Sequence, residues 1–266
     1  MNITICFKIA PMLEMMGEND WVTTLDNKVD TDFVNRSINS YDESALEMGL
    51  RIKDKTETDL RALTIGDNNS FIKNLYALKY NEVVRINSDI DLRFYSEIVA
   101  SVIFSYIYKK GTNQDVIILG QQSGVGDNSK TPLLLSELLN IPCITEVMEI
   151  DLGKEEGTLV VKSLGDNGIL TQLVKTPCVI AVGNTQNCFL RVPTLADKMK
   201  YKKNKILEYS IEDFSLEDII EETKNNYCIN NLKKYDNTRN PTIIEGEDMH
   251  KKVKKVFKNG LKGMLK

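Results

Sequence analysis

The chain has 266 residues, of which 42% are hydrophobic and 27% charged, and a net charge of −4. That length suits one substantial domain plus an appendage, with the composition of a soluble globular protein. The acidic balance argues against a nucleic-acid partner, which needs a concentrated basic face. No apolar run reaches the roughly 20 residues of a membrane span, so no membrane insertion is expected.

The five cysteines, Cys6, Cys143, Cys178, Cys188 and Cys228, are odd in number and form no C-x-x-C pair. They predict reduced thiols and a cytoplasmic protein. The one histidine, His250, lies in a basic tail. Neither a metal site nor a Ser/His or Cys/His catalytic pair is therefore expected. The opening MNITICFKIAP is too short and too soon interrupted for a signal peptide.

In chain order, Ile3–Phe7 alternates and reads as a first strand, ending at Lys8. Residues 11–32 are irregular, with turns expected near Gly17-Glu18-Asn19 and Asp26-Asn27. A helix opens at Asn39-Ser40-Tyr41-Asp42-Glu43, with Asn39 or Ser40 as N-cap and acidic residues in the first turn. Asp59–Ile65 is a strand closed by Gly66, Ser70–Tyr80 a helix, Glu82–Ile86 a strand and Leu92–Tyr108 a long helix. This alternation predicts a twisted, mostly parallel sheet with helices on both faces, an α/β fold.

Val116–Leu119 is an apolar run bounded by Asp115 and Gly120, as a strand buried on both faces would be. A loop rich in Gly, Ser, Asn and Asp follows from Gly120 to Thr131, and then a helix with Pro132 in its first turn. Ligands of open α/β sheets sit at the carboxyl ends of strands, where this loop lies. Gly124 and Gly126 let backbone N–H groups turn toward one centre, and the helix start points its free N–H groups the same way. Ser129, Thr131 and Lys130 add hydroxyls and a cation. The stretch reads either as an anion loop or as an ordinary β–α connection. As a dinucleotide fingerprint it is weak: Ser129 stands in place of the third glycine, although Glu146 follows about twenty residues on.

After Val147 the pattern changes. Leu159–Lys162 and Leu170–Val174 flank Gly165-Asp166-Asn167-Gly168, as in a hairpin with a wide turn, and Val179–Val182 is another short strand. Residues 1–206 therefore read as one α/β domain. Residues 207–266 read as an extended arm, ending in a basic helix, that needs a partner to lean on.

Several landmarks carry a family resemblance. Asn39-Ser40-Tyr41-Asp42-Glu43-Ser44-Ala45-Leu46-Glu47 resembles the N-P-Y/F-D-E-x-A-L/V-E helix start of the electron transfer flavoprotein β subunit. The first strand with Lys8 is similar to its V-K-x-V-P opening, and Thr64-Ile65-Gly66 to its S-x-G. Asp115–Gln122 is similar to its D-x-V/I-x-x-G-x-Q, and Asp127 and Thr131 sit within its nucleotide loop. Gly168 corresponds to its central glycine hairpin. Arg191-Val192-Pro193-Thr194-Leu195 with Met199 resembles its P-R-Y-x-T-L-x-x-I-M segment. The likeness runs over about residues 1–215.

The resemblance implies a fold like that of the adenine-nucleotide hydrolases. It also implies an α-subunit partner that holds the redox FAD, and an AMP or a second FAD in this subunit. It places Cys6, Asn39, Ile65, Gly66, Gly120, Gln122, Asp127, Asn128, Ser129, Lys130 and Thr131 around that nucleotide. It makes Arg191, Thr194, Leu195 and Met199 a recognition segment for a flavin-dependent dehydrogenase, such as one of the acyl-CoA type. It assigns no catalytic residue, since the subunit carries electrons.

The chain departs from the family pattern at Val125, Lys130 and Pro132, where Asp, Gln and Gly are usual. Pro132 removes an N–H donor and Lys130 adds a cation, so the site either holds AMP or FAD by altered contacts or has lost its ligand. Bifurcating members resemble the standard loop more closely than this chain does, which disfavours a bifurcating role. Two rival readings rest on the residues alone. One is an α/β nucleotide-binding hydrolase or transferase using Asp127 and Lys130; the other is a stand-alone AMP-binding module.

Overall fold

A run of β-formers buried on both faces sets the centre of the sheet. The computed structural model describes residues 1–24, 27–66, 70–110, 114–185, 188–224, 229–234, 241, 243–245, 248–260 and 262. In chain order the first elements are β1 (Asn2–Cys6), β2 (Ile9–Pro11), β3 (Arg36–Ile38), α1 (Ser40–Lys53), β4 (Asp59–Ile65), α2 (Asn74–Ala77), β5 (Glu82–Asn87), α3 (Ser96–Lys110), β6 (Val116–Gly120) and α4 (Thr131–Leu139). There follow β7 (Cys143–Leu152), β8 (Thr158–Gly165), β9 (Gly168–Lys175), β10 (Cys178–Val182), α5 (Leu195–Lys200), β11 (Leu207–Ser210), α6 (Glu217–Lys224) and α7 (Met249–Asn259).

Nine strands form one sheet in the order β11-β5-β4-β1-β6-β10-β7-β8-β9. It is parallel from β11 to β7, and the β7–β8–β9 edge is antiparallel. Ile3, Ile5, Val116, Ile118 and Ile180 face one core with α1; Ile117, Leu119 and Val179 face the other with α3 and Leu135 of α4. Helices thus cover both faces, as the alternation of elements predicts. Gly49 lets α1 press close on β1, since a Cβ there would lie 2.9 Å from Ile5 Cδ1. Among the described residues no helix is long and apolar enough to cross a membrane.

Several local expectations shift. α4 leads into β7, which runs parallel to β6 in the same sheet with β10 between them. Every residue of β10 (CVIAV) is buried, and such a strand takes the central slot over one with charged positions like β7. The helix expected over 70–80 is a 3-10 turn, Ser70–Lys73, followed by the single turn of α2. Lys79 adopts φ 70° and ends it. α3 begins at Ser96 rather than Leu92, because Arg93 N–H donates to Asp91 Oδ1 and holds residues 91–93 in a turn. The β8–β9 turn is tight: Gly165 pairs with Gly168, so only Asp166 and Asn167 span it. In the irregular 11–32 segment the 17–19 turn falls on a 3-10 turn, Glu18–Asp20. Asp26 of the second expected turn lies outside the described residues.

Residues just past 206 join the sheet and the core. β11 pairs in parallel with β5, and Ile211, Phe214 and Leu216 are buried in the core beside Tyr106. The four residues of β11 carry too short a pattern to announce a strand. Beyond it α6 still packs on the core through Ile220, and Thr223 is buried. α7 is then amphipathic, with Met249, Val253, Val256 and Phe257 exposed on one stripe and lysines around the rest.

Candidate functional site

The carboxyl ends of β1, β4 and β6 open into one cavity of about 880 Å³. That is at the large end of ligand pockets, which run roughly 300–1,000 Å³. Cys6, Ile65, Gly66, Gly120, Gln122, Asn128, Ser129, Lys130 and Thr131 all line it. Asn39 stands behind the wall: its Nδ2 donates to Gln122 O at 2.8 Å and to Asp42 Oδ2 at 3.2 Å. Asn39 occupies the N-cap position of α1 without a side-chain capping bond, so its amide tethers the loop instead. Asp127 is exposed, at φ 40°, and does not line the cavity.

Asp42, read from sequence as a charge for the helix dipole, is the joint of the site. It is 5% exposed and accepts from Lys8 N–H at 2.9 Å and from Gly120 N–H at 2.7 Å. One carboxylate thereby ties the ends of β1 and β6 to the first turn of α1. Burial pushes this carboxyl up to about 6, against the pull of the two backbone N–H groups. Position 120 admits no side chain, since a Cβ would lie 2.3 Å from Asp42 Oδ1.

Lys8 brings a cation into the cavity. Its Nζ donates to Val125 O at 2.6 Å and to Ser123 Oγ at 3.2 Å, and burial lowers its affinity for the proton. The loop passes close beneath: Gly126, at φ 90°, would place a Cβ 2.5 Å from Arg93 O. Asn128 Nδ2 donates to the same carbonyl at 3.4 Å, and Ser129 Oγ donates to Gln122 Oε1 at 3.3 Å. α4 then starts at Thr131 with no side chain capping it, so its first N–H groups stay available at the cavity rim. These features suit a phosphate: an uncapped helix start, hydroxyls at Ser129 and Thr131, and the Lys8 ammonium.

Asp30, Asp32, Asp89 and Asp91 also line the cavity. Burial pushes the Cys6 thiol far up, so it is no nucleophile. Asp42 is surrounded by donors, and Asp127 stands outside the cavity lining. Among the described residues no group of three or more His, Cys, Asp or Glu could hold a metal ion. Glu146, the acidic residue of the weak dinucleotide fingerprint, instead binds Gln121: its backbone N–H donates to Gln121 Oε1 at 2.6 Å, and Gln121 Nε2 donates to its carboxylate. Cys143 and Cys188 are free like Cys6 and Cys178, while Cys228 lies outside the described residues.

The second predicted cluster lies apart from the cavity. Arg191 turns inward, its Nη2 2.8 Å from Glu47 Oε1 and its Nη1 2.8 Å from Asp54 Oδ2, which pins the segment to α1. Thr194 caps α5 by accepting from Asp197 N–H at 3.1 Å. Leu195 and Met199 are 77% and 65% exposed. Leu195 is thus no core residue, and Phe189 and Val192 stand exposed with it. Sequence reasoning missed those two, and also Lys8 and Asp42 as site residues, although both lie inside the quoted motifs.

Comparison with known proteins accords with this arrangement. The model of the electron transfer flavoprotein domain matches residues 26–213. YgcR of Escherichia coli (strain K12), provisionally named an electron transfer flavoprotein subunit, is 30% identical over 98% of each chain. The electron transfer flavoprotein subunit beta of Bacillus subtilis (strain 168) is 28% identical over 72% of this chain and 74% of its own. The acryloyl-CoA reductase electron transfer subunit gamma of Anaerotignum propionicum is 29% identical over 69% of each. With the matched domain, the near full-length likeness and the β-subunit landmarks in order, the chain belongs to the electron transfer flavoprotein family, as a β-type electron-carrier subunit.

Proposed function

We propose that this subunit holds an adenine nucleotide, AMP or FAD, in the cavity at the ends of β1, β4 and β6, and works only when paired with an α-type subunit that carries the redox FAD. The observation that carries the reading is the meeting of loop 120–131, the Lys8 ammonium and the uncapped start of α4 around one cavity. Thr131, Ser129 and Lys8 would hold the phosphate, and Gly126 keeps the loop close to Arg93 O. The bound nucleotide would supply structure, or as FAD a second redox ring. Two contacts are compatible with an occupied site despite the departures: the backbone carbonyl at Val125 receives Lys8, and Pro132 sits in the first turn of α4, where its missing N–H breaks no helical bond.

Partner contact follows the exposed apolar groups. The stripe of α7 and the outer face of β9, with Ile169 and Leu173, suit the α-type subunit. Leu195 and Met199, presented on α5, would meet a flavin-dependent dehydrogenase. The acryloyl-CoA reductase subunit among the relatives supports one acting on CoA esters. The unpaired cysteines support a reducing, cytoplasmic setting. Equilibrium dialysis of the full chain against AMP and against FAD tests the ligand: saturable binding of either one, lost in Gly126→Val, is expected. Equal binding by the variant would move the nucleotide elsewhere.

A further inference from the structure

The segment between β2 and β3 also lines the cavity, through Leu13, Trp21 and Lys28. An ion pair links it to the far wall. Lys28 Nζ lies 3.6 Å from Asp91 Oδ2, and the Arg93 guanidinium holds the same carboxylate at 2.6 Å. The Arg93 carbonyl in turn receives Asn128 and lies against Gly126. One chain of contacts therefore runs from this segment to the nucleotide loop.

Trp21 is the only tryptophan in the chain and is 38% exposed on the cavity wall. Its backbone is fixed on both sides. Before it, Gly17 N–H donates to Asp20 Oδ2 at 2.7 Å in a 3-10 turn. After it, Val22 N–H donates to Asp20 O, Asp30 N–H donates to Val22 O, and Thr23 bridges Val29. A large aromatic ring with free surface, held on the wall of a ligand-sized cavity, is what a planar ligand ring stacks against.

We infer that Trp21 is the ring-binding end of this cavity, its indole stacking on a planar heterocycle of the nucleotide whose phosphate lies on loop 120–131. The inference rests on the nucleotide reading proposed above. Adenine and isoalloxazine share the required chemistry.

The test uses the full chain, with AMP and FAD as separate probes. Affinity is measured by equilibrium dialysis, and ring contact by the emission of the single tryptophan. The expected result is saturable quenching at the concentrations where dialysis shows binding. Trp21→Ala should weaken that nucleotide about tenfold, and Trp21→Phe should keep most of the affinity. Quenching by AMP assigns the adenine ring to Trp21; isoalloxazine also quenches indole at a distance by energy transfer, so for FAD the loss of affinity in Trp21→Ala decides. Binding by dialysis with unchanged emission and unchanged affinity in Trp21→Ala would overturn the inference. Binding of neither probe would overturn the nucleotide reading itself. If the alanine variant fails to fold, emission of the natural chain and the affinity of the phenylalanine variant still decide.

Discussion

Replacing Asp42 by asparagine keeps the shape of the side chain and removes its titration. The natural carboxyl titrates at about 6 in the folded protein, against an ordinary 3.8. A raised folded-state value means that the folded chain holds this proton more tightly than the unfolded chain does. The group's contribution to stability is therefore fully present below about 3.8 and is lost as pH rises through about 6. The gap between those values corresponds to about 3 kcal/mol. The substituted amide would also turn its NH2 toward one of the two backbone donors, Lys8 N–H or Gly120 N–H. Leaving that donor unpaired costs about 1–3 kcal/mol. The natural chain should thus be the more stable at pH 4, and its advantage should shrink or reverse by pH 7.5. Urea unfolding of both chains across that range, followed by circular dichroism, measures the difference. An advantage that is constant, or that grows with pH, would refute the reasoning and show Asp42 held ionised by its donors.

Three further outcomes are expected. Thr131→Ala should weaken nucleotide binding by about 1–2 kcal/mol through a lost phosphate hydrogen bond, read by dialysis; unchanged affinity would remove Thr131 from the site. Leu195→Ala should slow electron transfer from a dehydrogenase while stability to urea stays within about 0.5 kcal/mol, because the side chain is exposed; an unaltered rate would leave α5 without a docking role. Glu47→Gln should lower stability by about 1–3 kcal/mol and make residues 188–200 more open to limited proteolysis, since Glu47 is the buried anchor of Arg191; natural protease resistance would show that other contacts hold the segment.

Much of the sheet was legible because its strands are short apolar runs separated by turn residues. Val116–Gly120 and Asp59–Ile65 needed only local pattern. Strand order was not legible: nothing in Cys143–Leu152 says that a strand from thirty-odd residues later will sit between it and β6. The neighbour of a strand is decided by how completely each must be buried, and here the wholly apolar β10 took the inner place. The Gly120–Thr131 loop could be read as a candidate anion site from its glycines and the helix start that follows. Its supports could not. Asp42 looks like any acidic residue in a first helical turn until α1 is placed over the ends of β1 and β6. Trp21 lies in a segment without periodicity, and only tertiary packing brings it to the cavity. For Arg191 the resemblance gave the segment, but the inward turn depends on Glu47 and Asp54 meeting it across α1.

The most direct measurement is to co-express this chain with candidate α-type subunits, purify any heterodimer, release its small molecules with acid and count FAD and AMP. A yellow heterodimer is expected, with one FAD in the partner and one further adenine nucleotide for this chain, lost on Gly126→Val. The absence of a yellow complex with every α-type subunit tried would contradict that expectation.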